Sequence, residues 1–285
     1  MSPDTDPHGA GQGHGAEHGH GAEHAHGAEH GAEHAQGTGD SAGVPWQGRS
    51  FQANPHASDD GSADPALLAA LHAFRAGSGG QREIVDAYRT ARLLIPLVAE
   101  KGDHGVGAHG LEVDKTQELS IVTVAAPDGR RVLPVFTSVE AMGRWDAAAR
   151  PVPADGVRTA LSAAADDTDL IVVDPGSDTE FVLRRPAVWA IGQGQAWEPS
   201  HLSPEVFAGL QESIGGELSV IDLAVESGDP DARLRGPELV VRLHLMDGLE
   251  KAELDAVLAR LAKRWAADDR IAVLVDSLAV KLVRA

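Results

Sequence analysis

The stretch LPVFTSVEAMGRWDAAARPVPADG, residues 133–156, contains the clearest secondary-structure signals of this chain. Its apolar beginning predicts a strand over 131–136. Thr137 and Glu140 then match the T-x-x-E capping box that begins an amphipathic helix. A proline-rich segment follows and leads into a second predicted helix over 156–165. Strands and helices therefore alternate here, which is typical of a sheet covered by helices.

Short strands are predicted on both sides of this stretch. The run 119–125 precedes it, and Asp128-Gly129 is a two-residue hairpin signal that joins this run to 131–136. The apolar run 93–98 is also a predicted strand. Pro96 inside it indicates an edge position or a bulge, because proline cannot donate a backbone hydrogen bond. Beyond the second helix, the predicted strands are 170–173 and 180–183.

Helices are predicted from caps and apolar stripes in the rest of the chain. Asp64 and Pro65 form an N-cap followed by proline at the first helical position. A stripe ending at Trp265 predicts a long helix over 250–266, with Asp247 beside Glu250 as its N-terminal cap. The other predicted helices are 81–88, 186–191 and 204–214, and the remaining predicted strands are 218–225, 238–245, 271–275 and 279–283.

These elements predict an α+β fold in two domains. We expect mixed α/β domains over 63–195 and 196–285, with largely antiparallel sheets covered by helices. The second domain would have the order α-β-β-α-β-β and a small antiparallel sheet. A low-complexity, His-rich tail over 1–62 precedes them. We expect it to be disordered, because it has too little apolar surface to offset its ordering entropy.

Three apolar segments carry a resemblance to a known family. They are Leu94–Val98, Leu133–Ser138 and Asp169–Pro175. Together they resemble the SseB (enhanced serine sensitivity) family in its actinobacterial form, with an N-terminal SseB domain and a companion C-terminal α/β domain. The similarity covers roughly Ile84 to Trp197. The resemblance implies an α+β fold and a cytoplasmic protein, and it carries over no established active site.

The composition excludes several classes of function. The net charge of −19 repels phosphate backbones and anionic lipids, so we expect no nucleic-acid or membrane binding. Arg82, Arg89 and Arg92 are interpreted as a solvated helix face rather than a basic patch. The absence of cysteine excludes disulfides, thiolate zinc sites and a cysteine nucleophile, and it fits the cytoplasm. We also expect neither a membrane-spanning segment nor a secretory signal.

Histidine is concentrated in the tail, where the tetrapeptide Gly-Ala-Glu-His recurs. The segment His14-Gly15-Ala16-Glu17-His18 matches H-x-x-E-H, the inverted zincin signature. A metallopeptidase also needs a buried helix and a third ligand, which a glycine-rich repeat does not offer. Adventitious Zn²⁺ or Ni²⁺ binding remains open, and no other cofactor is expected. The candidate ligands are His14, His18, His20, His24, His26, His30 and His34.

Thr137 and Ser138 are the candidate ligand-binding residues of the folded part, because they lie where a strand ends and a helix begins. Free N–H groups at such a point could hold an anion, and Arg144 and Arg150 could complete the pocket. The alternative is a simple helix cap beside two solvated arginines.

Asp174 and Asp276 each follow an apolar strand, so they could form acid–base carboxylates or, more simply, turns. The chain has no P-loop signature. We therefore expect a non-catalytic protein–protein interaction module with an unidentified partner, and exposed sheet edges in the C-terminal domain allow a homodimer. The alternatives are binding of a small anionic metabolite, an enzyme linked to amino-acid metabolism, or metal binding by the tail.

Overall fold

A computed structural model describes residues 59–99, 105–106, 112–113, 119–121, 123–165, 168 and 170–284. Helices and mixed sheets within these residues confirm the predicted α+β fold. Nearly all of the predicted tail, residues 1–58, lies outside the described residues, so its predicted disorder stays a prediction.

The helices of the first part begin where the sequence signals place them. Asp64 caps the first helix, since its Oδ1 accepts hydrogen bonds from Ala66 N at 2.9 Å and from Leu67 N at 3.0 Å. These helices are α1 (Pro65–Arg75), α2 (Gln81–Thr90), α3 (Val139–Trp145), α4 (Gly156–Ala165) and α5 (Arg185–Gly192).

The strands of the first part form three small sheets. They are β1 (Arg92–Ala99), β2 (Gly105–Val106), β3 (Glu112–Val113), β4 (Leu119–Ile121), β5 (Val124–Ala125), β6 (Arg131–Val135), β7 (Arg150–Asp155), β8 (Ile171–Val173) and β9 (Phe181–Leu183). The sheet orders are β4-β1-β7, β2-β3 and β5-β6-β8-β9, and β6 runs parallel to β8. The predicted hairpin is confirmed between β5 and β6, but five residues (126–130) join the strands rather than two. Ala126 N donates to Arg130 O at 2.8 Å, and Gly129 has a φ of 84°.

Pro96 lies in the middle strand of its sheet, so the predicted edge position is wrong. It stands opposite Pro151 of β7 in the antiparallel ladder. Two prolines cannot exchange backbone hydrogen bonds, so this is a non-hydrogen-bonded pair. The β1–β7 ladder therefore loses no hydrogen bond at Pro96. On the other side, the described pairing of β1 with β4 joins Leu97–Ala99 to Leu119–Ile121.

The second part forms one sheet with helices packed on it. Its elements are α6 (Pro204–Ile214), β10 (Val220–Ser227), β11 (Leu239–Leu245), α7 (Lys251–Ala267), α8 (Asp269–Leu274) and β12 (Leu278–Arg284). The sheet order is β10-β11-β12. Glu250, not Asp247, is the N-cap of α7, and Glu253 Oε2 accepts a hydrogen bond from Glu250 N at 3.0 Å.

The predicted strand over 271–275 is wrong, because these residues belong mostly to α8. Asp268 Oδ1 accepts a hydrogen bond from Arg270 N at 2.9 Å and so begins a new helix directly after α7. Two helices therefore separate β11 from β12, and β12 pairs parallel to β11. The second sheet is mixed rather than antiparallel.

Two large hydrophobic clusters lie in the two parts. The first runs from Leu67 to Ile191 and also takes in Ala232, and the second runs from Val206 to Val275. Both consist mainly of aliphatic side chains, as the low aromatic content indicates. The predicted domain boundary at 195–196 falls between them along the chain and stays a prediction.

Candidate functional site

A groove lies where the parallel strands β6 and β8 end at one edge of their sheet. β6 continues into Thr137 and Ser138, and β8 continues into Asp174. The carboxyl ends of adjacent parallel strands are a common position for ligands in α/β folds. The groove has a volume of about 1030 Å³, and its walls come from residues 60–63, α1, α3 and the turn 174–179. We call it the Thr137 groove.

Asp174 joins the two strand ends. Only 1% of its surface is exposed. Its Oδ1 accepts a hydrogen bond from Thr137 N at 2.8 Å, and its Oδ2 accepts from the hydroxyls of Thr137 at 2.8 Å and Thr179 at 2.9 Å. Its φ of 45° is uncommon for a residue other than glycine. The three hydrogen bonds hold this conformation, so Asp174 is a clamp as well as the turn residue that the sequence suggests.

Ser138, not Thr137, caps α3, so the predicted T-x-x-E capping box is wrong. Ser138 Oγ accepts a hydrogen bond from Ala141 N at 3.1 Å. The Thr137 hydroxyl instead donates to Asp174, which takes it away from the helix end. Glu140 does not reach back to the cap and lies 3.5 Å from Arg144 Nη1.

Arg92 fixes the segment 59–63 that forms one wall of the groove. Its Nε lies 2.8 Å from Asp59 Oδ2, and its Nη1 donates to Thr137 O at 3.1 Å. Arg89 likewise donates to Ala190 O at 2.8 Å and joins α2 to α5. Since both side chains are at least four-fifths buried, the solvated face predicted for them is wrong.

Three of the four predicted ligand-binding residues line the Thr137 groove: Thr137, Ser138 and Arg144. Arg150 begins β7 and is not among the lining residues. Three of the N–H groups at this helix start already have partners, which are Asp174 for Thr137, Gly61 O for Val139 and Ser138 Oγ for Ala141. Anion binding stays a prediction, and Arg144 is the cation of the groove that could support it.

A second polar site joins the two parts of the chain. Arg184 directly follows β9, and only 8% of its side chain is exposed. Its Nη2 lies 2.7 Å from Asp229 Oδ2, and its Nη1 lies 3.1 Å from Asp276 Oδ2. Arg130, which follows the β5–β6 turn, donates to both oxygens of Asp276 at 2.8 and 3.0 Å. We call these four residues the arginine–carboxylate cluster.

Burial and charge act in opposite directions on the carboxyl groups at this cluster. Burial alone would raise the pKa of Asp276, but the Arg130 and Arg184 guanidiniums outweigh it, so this pKa lies below its ordinary value. Burial raises the pKa of Glu238, whose Oε2 accepts a hydrogen bond from Asp276 N at 2.5 Å. Such opposed shifts occur in acid–base sites and in structural ion-pair networks. The arginine partners on both oxygens of Asp276 favour the structural role.

An apolar patch lies at one end of the β10–β11 pair. Leu218 is 95% exposed, Ile221 57% and Met246 53%. Met246 N donates to Ser219 O at 3.0 Å, so Met246 lies beside the residue that follows Leu218, and Ile221 lies at the bulge of β10 two residues farther along. We call these three residues the Leu218 patch. Asp222 and Asp247, both exposed, lie beside it in the sequence.

The predicted metal ligands, His14 to His34, lie outside the described residues, so metal binding by the tail stays a prediction. In the part of the chain that the structure describes, no group of three or more His, Asp or Glu side chains could hold a metal ion. Over the same residues, no helix combines the length and the apolar character needed to cross a membrane.

A family model matches the first part of the chain. Residues 67–190, from α1 into α5, match the family described as the SseB protein N-terminal domain. No curated protein and no solved structure matches the chain. The Thr137 groove is built largely from the matched segment, whereas the Leu218 patch lies outside it.

Proposed function

Because this chain belongs to the SseB family through residues 67–190 and that family description names no reaction, we propose that it is a non-catalytic protein–protein interaction module. The observation that carries the proposal is the Leu218 patch. We also propose a cytoplasmic location, which the absence of cysteine supports.

Exposure of three large apolar side chains at one place is costly for a protein with no partner there. Full burial of such a side chain stabilises by about 1.5–3 kcal/mol relative to exposure. Grouped exposed apolar residues mark interaction sites, while single ones are ordinary. The flanking Asp222 and Asp247 indicate a partner with an apolar centre and a rim of lysine or arginine.

Leu218→Asp tests this proposal. Leu218 is almost fully exposed, so the substitution leaves the fold intact, but it places a charge at the centre of the proposed contact. We expect the variant to bind the partner at least about tenfold more weakly, as for loss of an interface hot spot. Affinity capture from native lysate with the full chain as bait identifies the partner, and titration of the purified partner measures the change.

Leu161→Asp is the matched control, because Leu161 on α4 is 54% exposed and lies outside the patch. A partner that both variants retain, or that both lose, would contradict binding through the Leu218 patch. A captured protein supports the proposal only if Leu218→Asp loses it and Leu161→Asp keeps it.

A second candidate function is binding of a small anionic metabolite in the Thr137 groove. The observation that favours it is the volume of the groove at the ends of two parallel strands. Arg144 would meet a carboxylate or phosphate of the ligand. The exposed Asp60, Glu140 and Asp178 on the same walls would favour a ligand that also carries an ammonium group, as an amino acid does.

A thermal-shift series with amino acids, dicarboxylates and inorganic phosphate tests the groove. A true ligand at about a hundred times its Kd stabilises the native state by about 2.7 kcal/mol, which corresponds to a rise in Tm of about 5 °C or more. Arg144→Ala should remove this rise and leave the unliganded Tm nearly unchanged. A rise that persists in Arg144→Ala, or no rise with any compound, would contradict this second candidate.

A further inference from the structure

β12 is an edge strand with little protection against pairing with another strand. Native edges are protected by proline, by bulges or by a covering loop. β7 carries Pro151 and Pro153, β10 is interrupted by a bulge, and β9 is covered where Val182 N donates to Ala232 O at 2.8 Å. β12 is seven residues long and contains no proline, and among the described residues it pairs only with β11.

The two faces of β12 differ in chemistry. Leu278 and Val280 pack against the second hydrophobic cluster, below the helices. Leu282 follows on the same face by strand alternation, yet it is 43% exposed, so the helix layer does not fully cover it. Ala279 and Lys281 lie on the opposite face and are exposed. The strand therefore keeps an apolar row at an open edge.

The sequence of β12 is complementary to itself in the antiparallel register centred on Val280. Residues directly opposite each other must share a face, so a symmetric pairing centres on a residue. Centring on Lys281 would place it opposite the partner's Lys281, which is unfavourable. Centring on Val280 places Leu278 opposite the partner's Leu282 and Ala279 opposite the partner's Lys281. In this register the apolar residues meet, and each lysine stem lies across a small side chain.

We propose that the protein forms a symmetric dimer through antiparallel pairing of β12 with β12 of a second copy, with Val280 on the two-fold axis. The two three-stranded sheets then make one continuous six-stranded sheet, and Leu282 is covered by the partner. A two-fold contact of this kind is self-complementary and closes on itself. The proposal is independent of the proposed function, since the Leu218 patch is a different surface.

Charge determines how this dimer responds to salt. Each chain carries a net charge of −19, so two copies repel each other at long range. Salt screens this repulsion and leaves the strand pairing intact, so the dimer strengthens as salt rises. An acidic peptide on the same edge would be attracted by Lys281, and that complex would weaken with salt. A strand pair of this length buries less than the standard interface of about 1,600 Å², so we expect a micromolar Kd.

Paired substitutions at Ala279 test the register. Ala279→Lys places a lysine opposite the partner's Lys281 at two symmetric positions, and we expect the dimer Kd to rise about tenfold. Ala279→Glu places a carboxylate there, and we expect the Kd to fall. Ala224→Lys is the matched control, because Ala224 is exposed on the same face of the sheet but in β10, far from this edge. Sedimentation velocity of the full chain over a concentration series measures all four proteins.

Opposite effects of the two Ala279 variants support the proposal, since a general loss of fold would not strengthen the dimer. Thermal unfolding of each variant checks that the fold is retained. A wild-type chain that stays monomeric into the high micromolar range overturns the proposal, as does a dimer that Ala224→Lys weakens equally. A monomer that binds an acidic peptide more weakly as salt rises also overturns it. Partner capture with Leu218→Asp is unaffected by any of these results and tests the proposed function separately.

Discussion

Arg184→Met is expected to lower the free energy of unfolding by about 3–5 kcal/mol, because it removes one partner from a buried ion cluster. The substitution keeps much of the apolar volume of the side chain but leaves Asp229 and Asp276 buried with less positive charge. Asp229 keeps backbone N–H donors, including Leu234 N at 2.8 Å, and Asp276 keeps Arg130. These contacts remain, but they do not replace the lost guanidinium. Urea unfolding at neutral pH measures the change, with the slope m as a check on two-state behaviour.

Arg144→Met is the matched control for this prediction. Arg144 also faces a carboxylate, Glu140, at 3.5 Å, but 67% of the Arg144 side chain and 82% of the Glu140 side chain are exposed. An exposed pair of this kind contributes at most about 0.5 kcal/mol. Comparable losses in the two variants would show that burial of the Arg184 pairs does not determine their energy. That result would contradict the structural role given to the arginine–carboxylate cluster.

Gly156→Ala is the second substitution with a large expected effect. We expect it to lower the free energy of unfolding by at least about 3 kcal/mol, the upper end of typical overpacking costs. A Cβ at residue 156 would lie 1.9 Å from Tyr88 O, far inside contact distance. Tyr88 cannot move aside, since its side chain is fully buried and its hydroxyl lies 2.6 Å from Thr159 Oγ1. Either α2 or α4 must shift as a unit. Thermal and urea unfolding measure the loss.

Gly143→Ala is the control for the same chemical change. Gly143 lies inside α3, and an added Cβ there meets nothing within 4 Å. Alanine favours the helix over glycine by up to about 1 kcal/mol, so this variant should be slightly more stable than the wild type. If Gly156→Ala were as stable as Gly143→Ala, that result would contradict the close approach of α2 to α4.

Local sequence signals were sufficient to predict most helices and strands. They failed where contacts between distant residues determine the structure. The bounds of α4 and α6 agree with the sequence prediction, because caps, prolines and apolar spacing all lie within those segments. Residues 271–275 form a short apolar run, for which periodicity cannot separate a strand from a helix turn. In the structure, the N-cap Asp268 begins a helix at these residues.

The candidate site was predictable in part. The junction at Thr137 and Ser138 could be found from sequence, because a strand end next to a helix start is a local pattern. The role of Thr137 could not be found from sequence, since the residue that accepts its hydroxyl hydrogen bond, Asp174, lies 37 residues away. The arginine–carboxylate cluster was missed for the same reason, because 146 residues separate Arg130 from Asp276. No local spacing signals such a pair.

The position of the partners of Arg184 has a consequence for synthesis of the protein. Arg184 belongs to the segment that matches the family domain, but its carboxylates, Asp229 and Asp276, come later in the chain. Asp276 follows Arg184 by 92 residues, which a ribosome adds in roughly 5–20 s. Asp229 follows after 45 residues, so during the first half of that interval the nascent domain holds an arginine whose charge has neither of its carboxylate partners. The first part of the protein therefore reaches its final stability only after Asp276 has been made, and an interrupted chain would present this arginine to proteases and chaperones.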